Sequence, residues 1–199
     1  MKNILGAATI AATLLIFTGV VAATEAPVYK EGDWWRVKVD TVFKPGISRT
    51  GRCDEAYPEY VVKIDQGKPK IFSVSGNKEE EIDCPTIANE LLNVGPEAGR
   101  YLKFPLAVNN SWTFQGTGRG PRGPIRFNEN LKVQAWEKIK SPRGELDAFR
   151  IEASYSTPFG GDVVTAFHYS PTIKCIVSFN LVTPAVARTV TLVDFNVSQ

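Results

Sequence analysis

Residues able to do chemistry are few and scattered. His168 is the only histidine in 199 residues, which excludes a histidine-rich metal site and leaves one imidazole to act as a general base. Ser170 and Asp162 lie near it in the chain, but a nucleophilic triad is defined by three-dimensional geometry and an oxyanion hole, which sequence proximity does not supply. Cys175 falls in an apolar run with Ile173, Ile176 and Val177, and such surroundings raise a thiol pKa rather than activate the sulfur. Glu137 and Glu152 could approach one another as a glycosidase-like carboxylate pair, although strand alternation alone produces such pairs often. The run Lys78 to Asp83, KEEEID, lacks the spacing that wraps a calcium ion and reads as a solvated edge or turn. The glycines of GTGRGPRGP, Gly116 to Pro124, are in the wrong order for a dinucleotide loop; they read as a mobile basic loop with Arg119 and Arg122 as candidates for an anion or partner contact. The expectation is a non-enzymatic chain with no catalytic residue, no metal and no cofactor.

What must position these groups is a set of strands. In Asn130 to Ser156, Leu131, Val133, Ala135, Glu137 and Ile139 share one parity, and Lys132, Gln134, Trp136, Lys138 and Lys140 share the other. Ser141-Pro142-Arg143-Gly144 breaks the pattern as a turn. Alternation resumes with Phe149, Ile151, Ala153 and Tyr155 against Arg150, Glu152 and Ser154. Neither half has the three-and-four spacing of a helix. Glu137 interrupts the apolar parity and, if buried, needs a partner such as Arg150.

The same rhythm recurs along the chain. Trp35, Val37, Val39, Thr41 and Phe43 alternate with Trp34, Arg36, Lys38 and Asp40; Glu59 to Asp65 and Pro69 to Ser75 flank a compact loop; Asp162 to Tyr169, Ile173 to Val182 and Arg188 to Val197 complete the series. Pro85 to Leu92, PTIANELL, is the one helical piece, and Pro105 makes Tyr101 to Val108 an edge or a bend. The fold class is all-β: a strongly curled antiparallel sheet or open half-barrel of about eight or nine strands with at most one short helix. Trp35, Trp112, Phe149, Phe167 and Phe179 are the aromatic residues that either fill its core or line a pocket for a hydrophobic ligand.

Met1 to Ala23, with Lys2 as its only charge and an apolar run ending in small residues, reads as a signal peptide, which places 24–199 as a single domain in the periplasm or secreted. Without Lys2 the surplus of basic over acidic residues falls to one, which argues against nucleic acid or anionic membrane as an obligate partner. Of three cysteines, Cys53 and Cys84 bracket a strand pair and are expected to form a disulfide, while Cys175 is expected to be a buried free thiol or, alternatively, a link to another chain.

Several phrases resemble a family of exported bacterial proteins of unknown function, distantly similar to the half-barrel fold of periplasmic lipoprotein carriers. They are Tyr29-Lys30-Glu31-Gly32-Asp33-Trp34-Trp35, Phe104-Pro105-Leu106 with Trp112, Trp136-Glu137 with Phe149-Arg150-Ile151-Glu152, Tyr169-Ser170-Pro171 and Leu192-Val193-Asp194-Phe195. The resemblance implies a curved antiparallel sheet with a concave apolar face able to hold an acyl chain or similar guest. The expected function is a binding or carrier module for a lipid or other hydrophobic molecule; the alternative is an envelope protein that takes a protein partner by strand addition at a sheet edge.

Overall fold

The structure is a computed structural model and describes residues 23–47, 52–95, 97–120, 123–156 and 161–198. Residues 1–22 of the expected signal segment lie outside the described residues, as do Arg122 and the side chain of Arg119.

Ten strands form one antiparallel sheet in the order β4-β3-β2-β1-β10-β9-β8-β7-β6-β5. They are β1 (Trp34–Phe43), β2 (Glu59–Asp65), β3 (Lys68–Ser75), β4 (Lys78–Ile82), β5 (Ser111–Gly120), β6 (Gly123–Ser141), β7 (Gly144–Ser156), β8 (Asp162–Ser170), β9 (Cys175–Val182) and β10 (Val186–Asn196). The chain's first strand pairs with its last, Trp34 opposite Asn196 through to Phe43 opposite Val186. A short hairpin arm and a long one extend from that seam, and β4 and β5 are left as edges, so the sheet is open. The count exceeds the expected eight or nine because the KEEEID run is itself the edge strand β4, exposed and charged as an edge should be. The GTGRGPRGP stretch is a further correction. Its first half is not a loop: β5 continues through Gly120 and pairs residue for residue with β6 from Gly123.

One parity is also corrected. The register slips between Val133 and Ala135, a bulge that adds a residue to β6. Beyond it Trp136 lies opposite Phe149 and packs on it at 4.5 Å, while Glu137 turns to the outer face. The sheet therefore keeps its apolar inner face without burying Glu137.

Helix α1 (Pro85–Leu92) and residues of 93–95 and 97–110 lie against the inner face and fill much of it. Ile87, Leu91, Leu92, Leu102 and Leu106 are buried there with Trp35, Phe149, Phe167 and Phe179. Asn93 ends the helix in the left-handed conformation, φ 55°. Its Oδ1 accepts the amides of Tyr101 and Leu102 and its Nδ2 donates to the Leu102 carbonyl, which ties Tyr101 and Leu102 to the end of the helix. The start of the helix is fixed from the other side by the Cys53–Cys84 disulfide, with Cα atoms 5.6 Å apart, as the sequence suggests. Cys175 is free and fully buried, and burial pushes its thiol pKa well up.

Candidate functional site

Two inward parities carry charge where the rest of the face is apolar. On β6, Phe127, Glu129, Leu131 and Val133 face inward together, and the Glu129 side chain is 0 % exposed. On β10, Arg188 stands in line with Val190 and Leu192 and is also buried. Each charge has a partner from the segment that fills the half-barrel. Arg188 meets Glu90 of α1 through two contacts, NH1 to Oε1 at 3.0 Å and NH2 to Oε2 at 2.9 Å. Arg100 reaches Glu129 at 2.7 Å and Glu97 at 2.8 Å. Taking these charges out of water is costly, and the pairing offsets that cost only while both partners are present.

Between these pairs lies a cavity of about 520 Å³ at one end of the half-barrel. Tyr101, Phe127, Tyr155, Leu181 and Val186 give it apolar wall, and Arg100, Arg188, Glu90, Glu97 and Asn89 give it polar wall. Phe127 and Tyr155 are stacked at 4.7 Å, and the Arg100 guanidinium lies 5.2 Å from the Phe127 ring and 4.9 Å from that of Tyr101. Burial opposes the charge on Arg100, but its neighbours, the Glu129 and Glu97 carboxylates among them, outweigh it and raise its pKa. Burial likewise raises Tyr101, so its hydroxyl stays protonated. Two buried oxygens beside this site have no hydrogen-bond partner among the described residues: Thr41 Oγ1, whose residue is on the wall, and Glu129 Oε1. Gly116 is what leaves space for Phe127, since a Cβ there would collide with the Phe127 and Phe114 rings.

The aromatic residues expected to bind ligand sit one layer deeper than this wall. Trp35, Phe149, Phe167 and Phe179 are almost wholly buried, Trp112 is 8 % exposed, and none of the five lines the cavity. Three of them hold the wall in place. Phe167 and Phe179 meet Tyr101 edge-on at 5.7 and 5.2 Å, and Trp112 Nε1 donates to the Arg100 carbonyl at 3.0 Å. Trp35 Nε1 donates to the Ile173 carbonyl, and Phe149 packs on Trp136.

His168, Ser170 and Asp162 are not brought together. Ser170 Oγ donates to the Asp147 carbonyl, and Asp162 accepts from Ser156. His168 is on the outer face between Ser178 Oγ and Glu137 Oε1, each 2.9 Å away, in the middle of a paired strand. Glu137 and Glu152 are linked through Arg150, 3.8 Å from the first and 2.7 Å from the second, so Arg150 is a partner of Glu137 although Glu137 is not buried. Among the described residues no group of three or more His, Cys, Asp or Glu side chains is arranged to hold a metal ion, and no helix is long and apolar enough to cross a membrane.

No family model and no curated protein matches the chain. Two solved structures are similar. One, from Bacteroides fragilis NCTC 9343, is described as an exported protein with a YmcC-like fold; it is 12 % identical, with a TM-score of 0.39 over 88 % of this chain and 100 % of that one. The other is the hypothetical lipoprotein YmcC of Escherichia coli K12, 8 % identical, with a TM-score of 0.38 over 86 % of this chain and 90 % of that one. Likenesses this loose carry no argument about ligand, partner or activity.

Proposed function

We propose that the protein is an exported, non-enzymatic binding module whose end cavity takes a small amphiphilic guest. The observation that carries this reading is the cavity of about 520 Å³, which lies within the roughly 300–1,000 Å³ usual for small-molecule sites and joins stacked aromatic wall to a ring of internally paired charge. The apolar part of the guest rests on Phe127, Tyr155 and Leu181. Its polar end supplies a hydrogen bond where Thr41 Oγ1, on the wall, lacks one. Because α1, Leu102 and Leu106 already occupy the deeper inner face, the guest is short: a compact ring system or a truncated acyl chain.

Delipidated protein titrated with straight-chain carboxylic acids and alcohols of increasing length tests this. Affinity should rise by roughly 0.8 kcal/mol per methylene at first and then stop rising once the chain outgrows the cavity. Affinity that climbs without a break, or no saturable binding at any length, contradicts it.

The envelope-partner reading keeps one specific support. β5 is a ten-residue edge strand, and unlike β4 it is not blunted by a run of charge. An extended partner added there would slow hydrogen exchange along Ser111–Gly120; unchanged exchange in the presence of the partner would remove the idea.

A further inference from the structure

The outer face of the sheet carries a second concavity of about 480 Å³, over β1, β2 and β3, that shares no wall residue with the end cavity. Its floor is apolar: Trp34, Val61 and Phe72, from three adjacent strands, with Trp34 and Phe72 half-buried. Its rim is ionic and, apart from the exposed Glu31, already drawn into pairs. Arg36 pairs with Glu59, Lys63 with Glu79, Lys70 with Asp65 at 2.7 Å, and Asp194 with Arg143 at 2.8 Å. Lys63 Nζ also lies 4.8 Å from the centre of the Phe72 ring.

We infer that this groove binds a neutral saccharide chain. An ionic ligand would have to displace a partner from each pair it entered, and would meet like charge on the same wall: Arg36, Lys63 and Lys70 for a cation, Glu31, Asp65, Glu79 and Asp194 for an anion. A hydroxyl-rich ligand meets neither cost. A paired carboxylate keeps lone pairs free, a lysine or arginine keeps N–H donors free, and each sugar hydroxyl both donates and accepts. The C–H face of a pyranose ring covers the aromatic floor as any apolar surface would. A peptide is less well matched, because the strands below have their backbone groups engaged with one another and offer no main-chain ladder.

The test is a titration of the full chain with neutral pentasaccharides (α-1,4-glucan, β-1,4-glucan, β-1,3-glucan and mannan) by calorimetry. Oligogalacturonate, a mixed Lys/Glu peptide and phosphatidylglycerol vesicles serve as comparators. At least one neutral pentasaccharide should bind saturably, and Trp34→Ala and Phe72→Ala should each weaken it at least ten-fold, with Trp34→Phe restoring part of the loss. Val164→Ala, an exposed outer-face change on β8, should leave it unaltered. All variants are first matched to wild type by circular dichroism and by acyl-probe binding in the end cavity. That comparison separates failure of the groove from failure of the fold or of the end cavity. No saturable binding to any neutral glycan, binding indifferent to Trp34→Ala, or preferential binding of the acidic glycan, the peptide or the vesicles would overturn the inference.

Discussion

Asp33 is buried just before β1 and yet ionised, because four donors converge on it. The Lys30 and Ser198 amides, Ser198 Oγ and Lys174 Nζ lie 2.6–3.2 Å from its two oxygens. Burial by itself would raise its pKa, but the donors from Ser198, Lys30 and Lys174 prevail and hold it at about 2. Since the folded value is depressed, the group stabilises the fold fully above its unfolded value near 4, and that contribution disappears as pH falls through about 2. Asp33→Asn should therefore cost roughly 1.5–3 kcal/mol in urea unfolding at pH 7 and much less at pH 2, the difference reporting the charge. Arg188→Ala should cost roughly 3–5 kcal/mol by stranding Glu90, and Arg188→Met with Glu90→Leu should recover most of it. Both are read from denaturant midpoints. Gly116→Ala tests the room left for Phe127 and should weaken guest binding at least five-fold, with β-structure retained by circular dichroism. Arg188 and Glu129 could be read in sequence, since each lies in step with inward apolar neighbours. Their partners could not, because Glu90 and Arg100 come from elements far along the chain whose docking no local pattern encodes.

At the scale of elements, alternation marks most strands and Pro85 marks the helix. It fails where an extra residue enters. The bulge at β6 reverses parity beyond Val133, and no sequence signal distinguishes the residue that is extruded. Reading straight through it assigns Glu137 to the inner face and Trp136 to the outer, the reverse of what is found. The glycines of β5 mislead in the opposite way, since the absence of a side chain at Gly116 serves a ring across the strand pair rather than a loop. The disulfide ties the turn at Cys53–Glu55 to the start of α1 and so to the cavity wall. Replacing both cysteines by serine should lower stability by about 3–4 kcal/mol for a loop of 31 residues, visible as an earlier urea midpoint with a steeper slope, because the unfolded chain loses its cross-link and exposes more surface.

For the whole molecule, the open curled sheet is legible in the count and spacing of strands, whereas the seam that joins first strand to last is not. Pairing of β1 with β10 spans nearly the whole chain and is chosen by burial of both inner faces at once, not by any local preference. The interior is filled by α1 and by residues of 93–95 and 97–110, and free volume collects at one end, beside Arg100. Aromatic content alone therefore names the supporting layer, Trp112, Phe167 and Phe179, and misses the surface they support, Tyr101, Phe127 and Tyr155. The most direct test of that surface is a titration of delipidated protein with the fluorescent amphiphile 1-N-phenylnaphthylamine, wild type beside Phe127→Ala and Tyr155→Ala. One saturable site, weakened at least ten-fold by either change while the fold persists, is the predicted result. No saturable site, or one equally strong in all three proteins, would contradict it.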